Sequence, residues 1–109
     1  MIGTIVGAAA LAVMSPLVQA PDHVQDLAAC IRQHESRHDY DAENPVSTAS
    51  GAYQFLDSTW RGNAKWVKGA RQYKRASDAP PHVQDAVFLH SIRQGGHKNW
   101  KGTGCPGTE

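Results

Sequence analysis

Residues His34 to His38 read HESRH, which as a motif is H-E-x-x-H. On a helix the two histidines would stand one turn apart and share a zinc ion, with Glu35 as the base of a metalloprotease. Such a site needs a third protein ligand, and His97, Glu43 and Asp41 are the available side chains. The continuation HESRHDYDAENP has Asp41 where the extended zinc motif has its glycine. Zinc proteases also place a sheet ahead of the motif helix, and little chain precedes His34 to build one.

The same glutamate offers a second chemistry that needs no metal. A carboxyl set at the end of an apolar helical face is desolvated, which disfavours its charged form and raises its pKa. It then keeps a proton near neutral pH and can give it to a leaving oxygen, as a glycosidase acid does. The second carboxylate that a hydrolytic glycosidase normally pairs with it would come from Asp39, Asp41, Glu43 or Asp57.

The elements that must hold Glu35 follow from periodicity and punctuation. Pro21 and Asp22 start a helix in which Val24, Leu27, Ala28 and Ile31 recur at i, i+3, i+4 and i+7. Glu35 comes round to within about 20° of Val24, in the middle of that apolar face. The polar stretch from Asp39, punctuated by Pro45 and Gly51, reads as a loop with at most a short hairpin. Asp57 and Ser58 are candidate caps for a second helix.

Pro80 and Pro81 before HVQDAVFLHSIRQGG, and Gly95-Gly96 after its periodic residues, mark a third helix. Val83, Val87, Phe88, Leu89 and Ile92 lie on nearly every side of it, so it is expected to be the buried centre, with His90 a core histidine. HVQD occurs at both proposed helix starts, His23 and His82, and reads as first-turn chemistry rather than a repeat. The glycine-rich tail is expected to be irregular and pinned by Cys105.

Composition bounds the rest. A chain of 109 residues allows one domain. The first twenty residues carry no charge and close on Val18-Gln19-Ala20, which resembles a secretory signal peptide, leaving residues 21–109 as the domain. Two cysteines, Cys30 and Cys105, in an exported small domain read as one disulfide. The net charge of +1 gives no reason to expect a nucleic-acid partner. Within it, Arg61, Lys65, Lys68, Arg71 and Arg75 would form one basic stripe if their segment were helical, suited to an anionic polymer.

CIRQHES, NPVSTASGAYQFLDSTWRG, APPHVQDAVF and GTGC occur in that order. Together they resemble the transglycosylase-like domain of the lysozyme superfamily, found in resuscitation-promoting factors and similar wall proteins. The resemblance runs from about Leu27 to Cys105. It implies a small, mainly helical α+β lysozyme-like fold that cleaves the β-1,4 bond between N-acetylmuramic acid and N-acetylglucosamine.

Glu35 matches the family's catalytic glutamate, Gln54 its sugar-binding glutamine, and Cys30 and Cys105 its paired cysteines; Ser50, Tyr53 and Trp60 would border the cleft. Lytic transglycosylases of this kind use one glutamate as acid and then as base, so that the sugar's own C6 hydroxyl attacks and a 1,6-anhydro product forms. The expected setting is secreted or at the cell wall, as a monomer acting on glycan strands without cofactor or metal, with a partner wall hydrolase as an option. Two other readings stay open: a wall-binding module without catalysis, and the zinc protease. Tyr53, where the family commonly has leucine or methionine, and the long basic spacer after Trp66 depart from the pattern.

Overall fold

A computed structural model describes residues 13–109. Most of the expected leader lies outside the described residues, and its last eight positions lie within them. Among the described residues the α-helices are α1 (Asp22–Ser36), α2 (Asp57–Ala64) and α3 (Pro81–Arg93). Short 3-10 segments span Pro16–Gln19, Ala76–Asp78 and Gly96–Thr103. The fold is a small, mainly helical domain with one disulfide. The only pairing of strand type among the described residues is two isolated antiparallel bridges, Glu43 with Ser50 and Ser50 with Phe55.

α3 is the centre, as its all-round apolar pattern predicts. It packs against Pro16–Gln19, α2 and the Gly96–Thr103 segment, and buries Val83, Val87, Phe88, Leu89 and Ile92. Pro81 opens it, and Gly95 ends it in the left-handed conformation that lacks a steric cost only for glycine. Around it gather Tyr53, Phe55, Trp60 and Trp100, with Tyr53 stacked on Phe88 at 4.3 Å between ring centroids. Leu17 and Ala20 also join this core, so the packed body reaches back to the turn at Pro16–Gln19.

Cys30 of α1 and Cys105 are bonded across a sequence separation of 75, with Cα atoms 6.0 Å apart. In the chain-entropy view, closing a loop of that length stabilises the fold by about 4 kcal/mol.

Four expectations are corrected here. The basic residues do not share one helix face, because α2 stops at Ala64 and the chain then turns repeatedly; Arg61, Lys65, Arg71 and Lys74 instead border one surface pocket. Asp57 and Ser58 do not cap α2; Leu56 holds the cap position without a side-chain bond, and Asp57 pairs with Arg75 instead. The tail is irregular only from residue 104 on; before that, Gly96–Thr103 coils as 3-10 turns with a kink at Trp100. His90 is not core: it is half-buried and borders a surface hollow.

Candidate active site

Glu35 occupies the last turn of α1, one residue before the helix ends. The end is sharp, since Arg37 and His38 both take left-handed backbone angles (φ 55° and 64°). Their amides close back on Gln33 and Arg32 carbonyls, as in a Schellman-type stop. Non-glycine residues adopt that region at a cost of about 1 kcal/mol or more, and such strain gathers at functional sites.

The third non-glycine residue with positive φ among the described residues is Gln54 (φ 54°). The strained positions thus flank Glu35 on one side and carry the expected sugar-binding residue on the other.

The two segments are tied together. Ser36 Oγ donates to the Ala52 carbonyl at 2.8 Å, and Arg32 Nη1 donates to Tyr53 Oη at 2.9 Å. Behind them Asp85, 4 % exposed on α3, accepts hydrogen bonds from Tyr53 Oη at 2.6 Å and Tyr40 Oη at 2.7 Å. Burial, then the Asp85 charge, holds the Tyr53 hydroxyl well above its ordinary pKa. Tyr40 is pushed up to about 12, by burial first and next by its bond to Asp85. Both phenols therefore stay protonated donors at physiological pH.

Gln84, the neighbour of Asp85, fixes the other side of the turn. Its Nε2 donates to the Tyr40 and Ala79 carbonyls, and its Oε1 accepts from the Ala52 amide at 2.9 Å. Gly51 lies against that side chain with φ 80°, where any Cβ would collide with Gln84 Oε1. Only glycine satisfies both the space and the angle.

Glu35 itself is left free. Among the described residues its carboxyl makes no hydrogen bond or ion pair. It is half-buried, and burial raises its pKa above the ordinary carboxyl value while the nearby His34 opposes that rise. Gln54 is half-buried too; Nε2 donates to the Gly51 carbonyl at 3.1 Å and Oε1 accepts from Asn44 at 3.4 Å. It borders a depression of about 70 Å³ with Leu56, Thr59 and Asn99, floored by Phe55 and Trp100.

Ser50, Tyr53 and Trp60, which the family resemblance sets at the border of the cleft, are instead fully buried. Ser50 Oγ accepts from the Ser77 amide, and Trp60 Nε1 donates to the Tyr73 carbonyl at 2.8 Å. Without exposed surface they support the site from behind and do not face a substrate. Three supports escaped the sequence reading: Asp85, Gln84 and Arg32. The signal was present for two of them, because a Gln-Asp pair in a helix apolar on every side must find buried partners.

The zinc geometry is absent for a local reason. α1 ends at Ser36, so His38 is not one helical turn beyond His34, and its Nδ1 accepts from Arg32 Nε at 3.2 Å. The one grouping of ligand atoms among the described residues is Cys30, His34 and Cys105, in which both sulfurs are already bonded to each other.

The class that this fold and site define is a small helical domain presenting one partly desolvated glutamate beside a strained glutamine turn. The chain is 39 % identical over 85 residues to probable transglycosylase SceD of Staphylococcus aureus strain MRSA252, covering 76 % of this chain and 33 % of that protein. It is 40 % identical over 85 residues to the protein of that name from Staphylococcus epidermidis, covering 35 % of it. With that from Staphylococcus carnosus it is 40 % identical over 83 residues, covering 33 % of it. The chain thus spans about a third of the length of the curated relatives it matches. No family model matches it, and no solved structure does.

Proposed function

We propose that this domain cleaves the β-1,4 bond between N-acetylmuramic acid and N-acetylglucosamine of peptidoglycan, with Glu35 as the sole acid and base. The observation that carries the reading is the Glu35 carboxyl: half-buried, raised in pKa by desolvation and unbonded, on a helix end tied to the Gln54 turn. The relatives, whose name is probable transglycosylase, support the same reaction class.

Protonated Glu35 gives its proton to the glycosidic oxygen as the C1–O bond breaks. The resulting carboxylate then takes the proton of the C6 hydroxyl while that oxygen bonds to C1, which returns Glu35 to its acid form and leaves a 1,6-anhydro ring. Gln54, able to donate and accept, holds an acetamido or hydroxyl group beside that bond.

A single-glutamate scheme is favoured over hydrolysis because two of the possible second carboxylates are engaged elsewhere. Glu43 and Asp57 both bind Arg75. The setting that follows is outside the cytoplasm, at the wall, and no helix among the described residues is long and apolar enough to cross a membrane. Cleavage of a leader before Pro21 would remove Leu17 from the core, so sequencing the N-terminus of exported protein decides where the body begins.

The deciding experiment digests purified peptidoglycan with the chain, its Glu35→Gln variant and a chelator-treated sample, and weighs the fragments. Anhydro ends lost in the variant and kept with chelator are expected. Reducing ends would replace the transglycosylase by a hydrolase. Absence of fragments at every pH would leave a wall-binding module, and activity restored by zinc would return the metalloprotease.

A further inference from the structure

The chain has three tryptophans, and they divide sharply. Trp60 and Trp100 are 0 % and 3 % exposed, whereas Trp66 is 71 % exposed. A single exposed apolar side chain is ordinary; the surroundings of Trp66 are not. It borders a surface hollow of about 490 Å³ together with Gly62, Asn63, His90 and Gln94. The His90 and Gln94 side chains make no hydrogen bond among the described residues, and Asn63 uses only its Nδ2, which donates to the Thr59 carbonyl at 2.9 Å. Lys65 Nζ stands 5.6 Å from the centre of the indole ring.

A largely exposed indole with one face under the Lys65 ammonium, ringed by amide and imidazole groups with spare donors and acceptors, suits one ligand chemistry above others. Sugar rings present flat C–H faces to an aromatic ring, and their hydroxyl and acetamido groups use both donors and acceptors. The hollow also continues the candidate site. Thr59, at the edge of the Gln54 depression, and Asn63, at the edge of this hollow, sit on successive turns of the same face of α2. On the opposite wall, Gln94 at the end of α3 is followed by the turn leading to Asn99 and Trp100, which line the same depression.

We propose that Trp66, with Asn63, His90 and Gln94, forms a distal subsite for an N-acetylated glycan strand whose other end lies at Glu35 and Gln54. The subsite rests on the glycan-cleaving reading for the position of that other end. It makes the domain favour longer strands, because a strand held at Gln54 must run on past Thr59 and Asn63 to touch the indole.

The test uses binding, so that it does not depend on cleavage. The full chain carrying Glu35→Gln is titrated by calorimetry with N-acetylglucosamine oligomers from disaccharide to hexasaccharide, and the Trp66 indole N–H resonance is followed in the chain that keeps the indole. Adding Trp66→Ala is expected to weaken the hexasaccharide about tenfold, the scale of one aromatic contact, and to leave the disaccharide unchanged. Trp66→Phe, which keeps a flat ring, recovers part of the loss, whereas Trp66→Leu does not.

Equal hexasaccharide affinity with and without the indole, an unmoved Trp66 resonance, or no binding of any oligomer each overturns the subsite. The Glu35 reading fails separately: peptidoglycan left intact by the unmodified chain, with hexasaccharide binding still dependent on Trp66, removes the catalysis and keeps the subsite.

Discussion

Two glutamates eight positions apart in sequence sit in opposite environments. Around Glu35 the molecule is buried and covalently braced: the Cys30–Cys105 bond holds α1, and Asp85, Tyr53 and Arg32 lock the helix to the Gln54 turn. Around Glu43 the holding is ionic and exposed: Glu43 Oε1 meets Arg75 Nη1 at 2.7 Å, its Oε2 accepts from Ser77 Oγ at 2.6 Å, and Arg75 Nε reaches Asp57 at 3.2 Å. The first carboxyl is surrounded by bonded groups and has no bond of its own. The second spends both oxygens on the clamp. Burial raises Glu35, whereas the bonds from Ser77 and Arg75 lower Glu43. Carboxyls pushed apart in this way mark which one is free to act as an acid.

The largest expected effect tests that division directly. Glu35→Gln should lower glycan cleavage by about a thousandfold or more while the far-ultraviolet circular dichroism stays unchanged. Glu43→Gln should keep most of the activity, since only a loop clamp is loosened. If the two variants lose activity equally, Glu43 belongs to the reaction and the contrast is broken.

Next come the braces. Replacing both cysteines by serine should destabilise the fold by about 4 kcal/mol, read as a fall in Tm. Asp85→Ala removes the acceptor of the buried Tyr53 hydroxyl and of the half-buried Tyr40 hydroxyl and should cost about 3 kcal/mol, with Asp85→Asn recovering part of it by keeping an acceptor oxygen. Arg75→Ala, which breaks an exposed pair with Glu43, a part-buried one with Asp57 and a bond to the Thr48 carbonyl, should cost less than either. An Asp85→Ala protein with unaltered Tm would show that the Glu35 region is not held from behind.

The same contrast explains what can be read from sequence. α1 and α3 are legible because apolar spacing, prolines and glycines act locally, within one or two turns. Glu35 is legible because desolvation follows from its place on the apolar face of α1. The roles of Ser50, Tyr53 and Trp60 are not, because a tyrosine becomes a buried support only when Asp85, 32 positions later, supplies its acceptor. The two HVQD copies make the point within one molecule. Both start helices, yet Asp26 is exposed and Asp85 is buried, and only packing against residues 40–53 distinguishes them. Continuing α2 through the basic residues fails for the reverse reason: nothing packs Trp66 or Lys65 inward, so the chain turns.

The smallest effect is the most specific, because the two carboxyls must shift stability with pH in opposite senses. Well below the ordinary carboxyl pKa, Glu35 is protonated in folded and unfolded chains alike and its ionisation contributes nothing. As pH rises past that value the unfolded chain releases its proton first, while the fold still retains its own. The fold therefore loses stability relative to the Glu35→Gln variant until the raised folded value is passed. Glu43 works the other way. Its charged form is bonded in the fold, so it contributes stability above the ordinary value and loses that contribution as pH falls through its lowered folded value.

Melting Glu35→Gln and Glu43→Gln beside the parent from about pH 3 to about pH 8 should therefore give two diverging difference curves. That of Glu35→Gln climbs with pH, and that of Glu43→Gln falls from near zero in acid to a net loss at neutrality. Both amplitudes are small, since solvent screens a half-exposed and a fully exposed group, and the test lies in their signs. Parallel curves would mean that the two carboxyls share one environment, and the assignment of Glu35 as the acid would lose its physical basis.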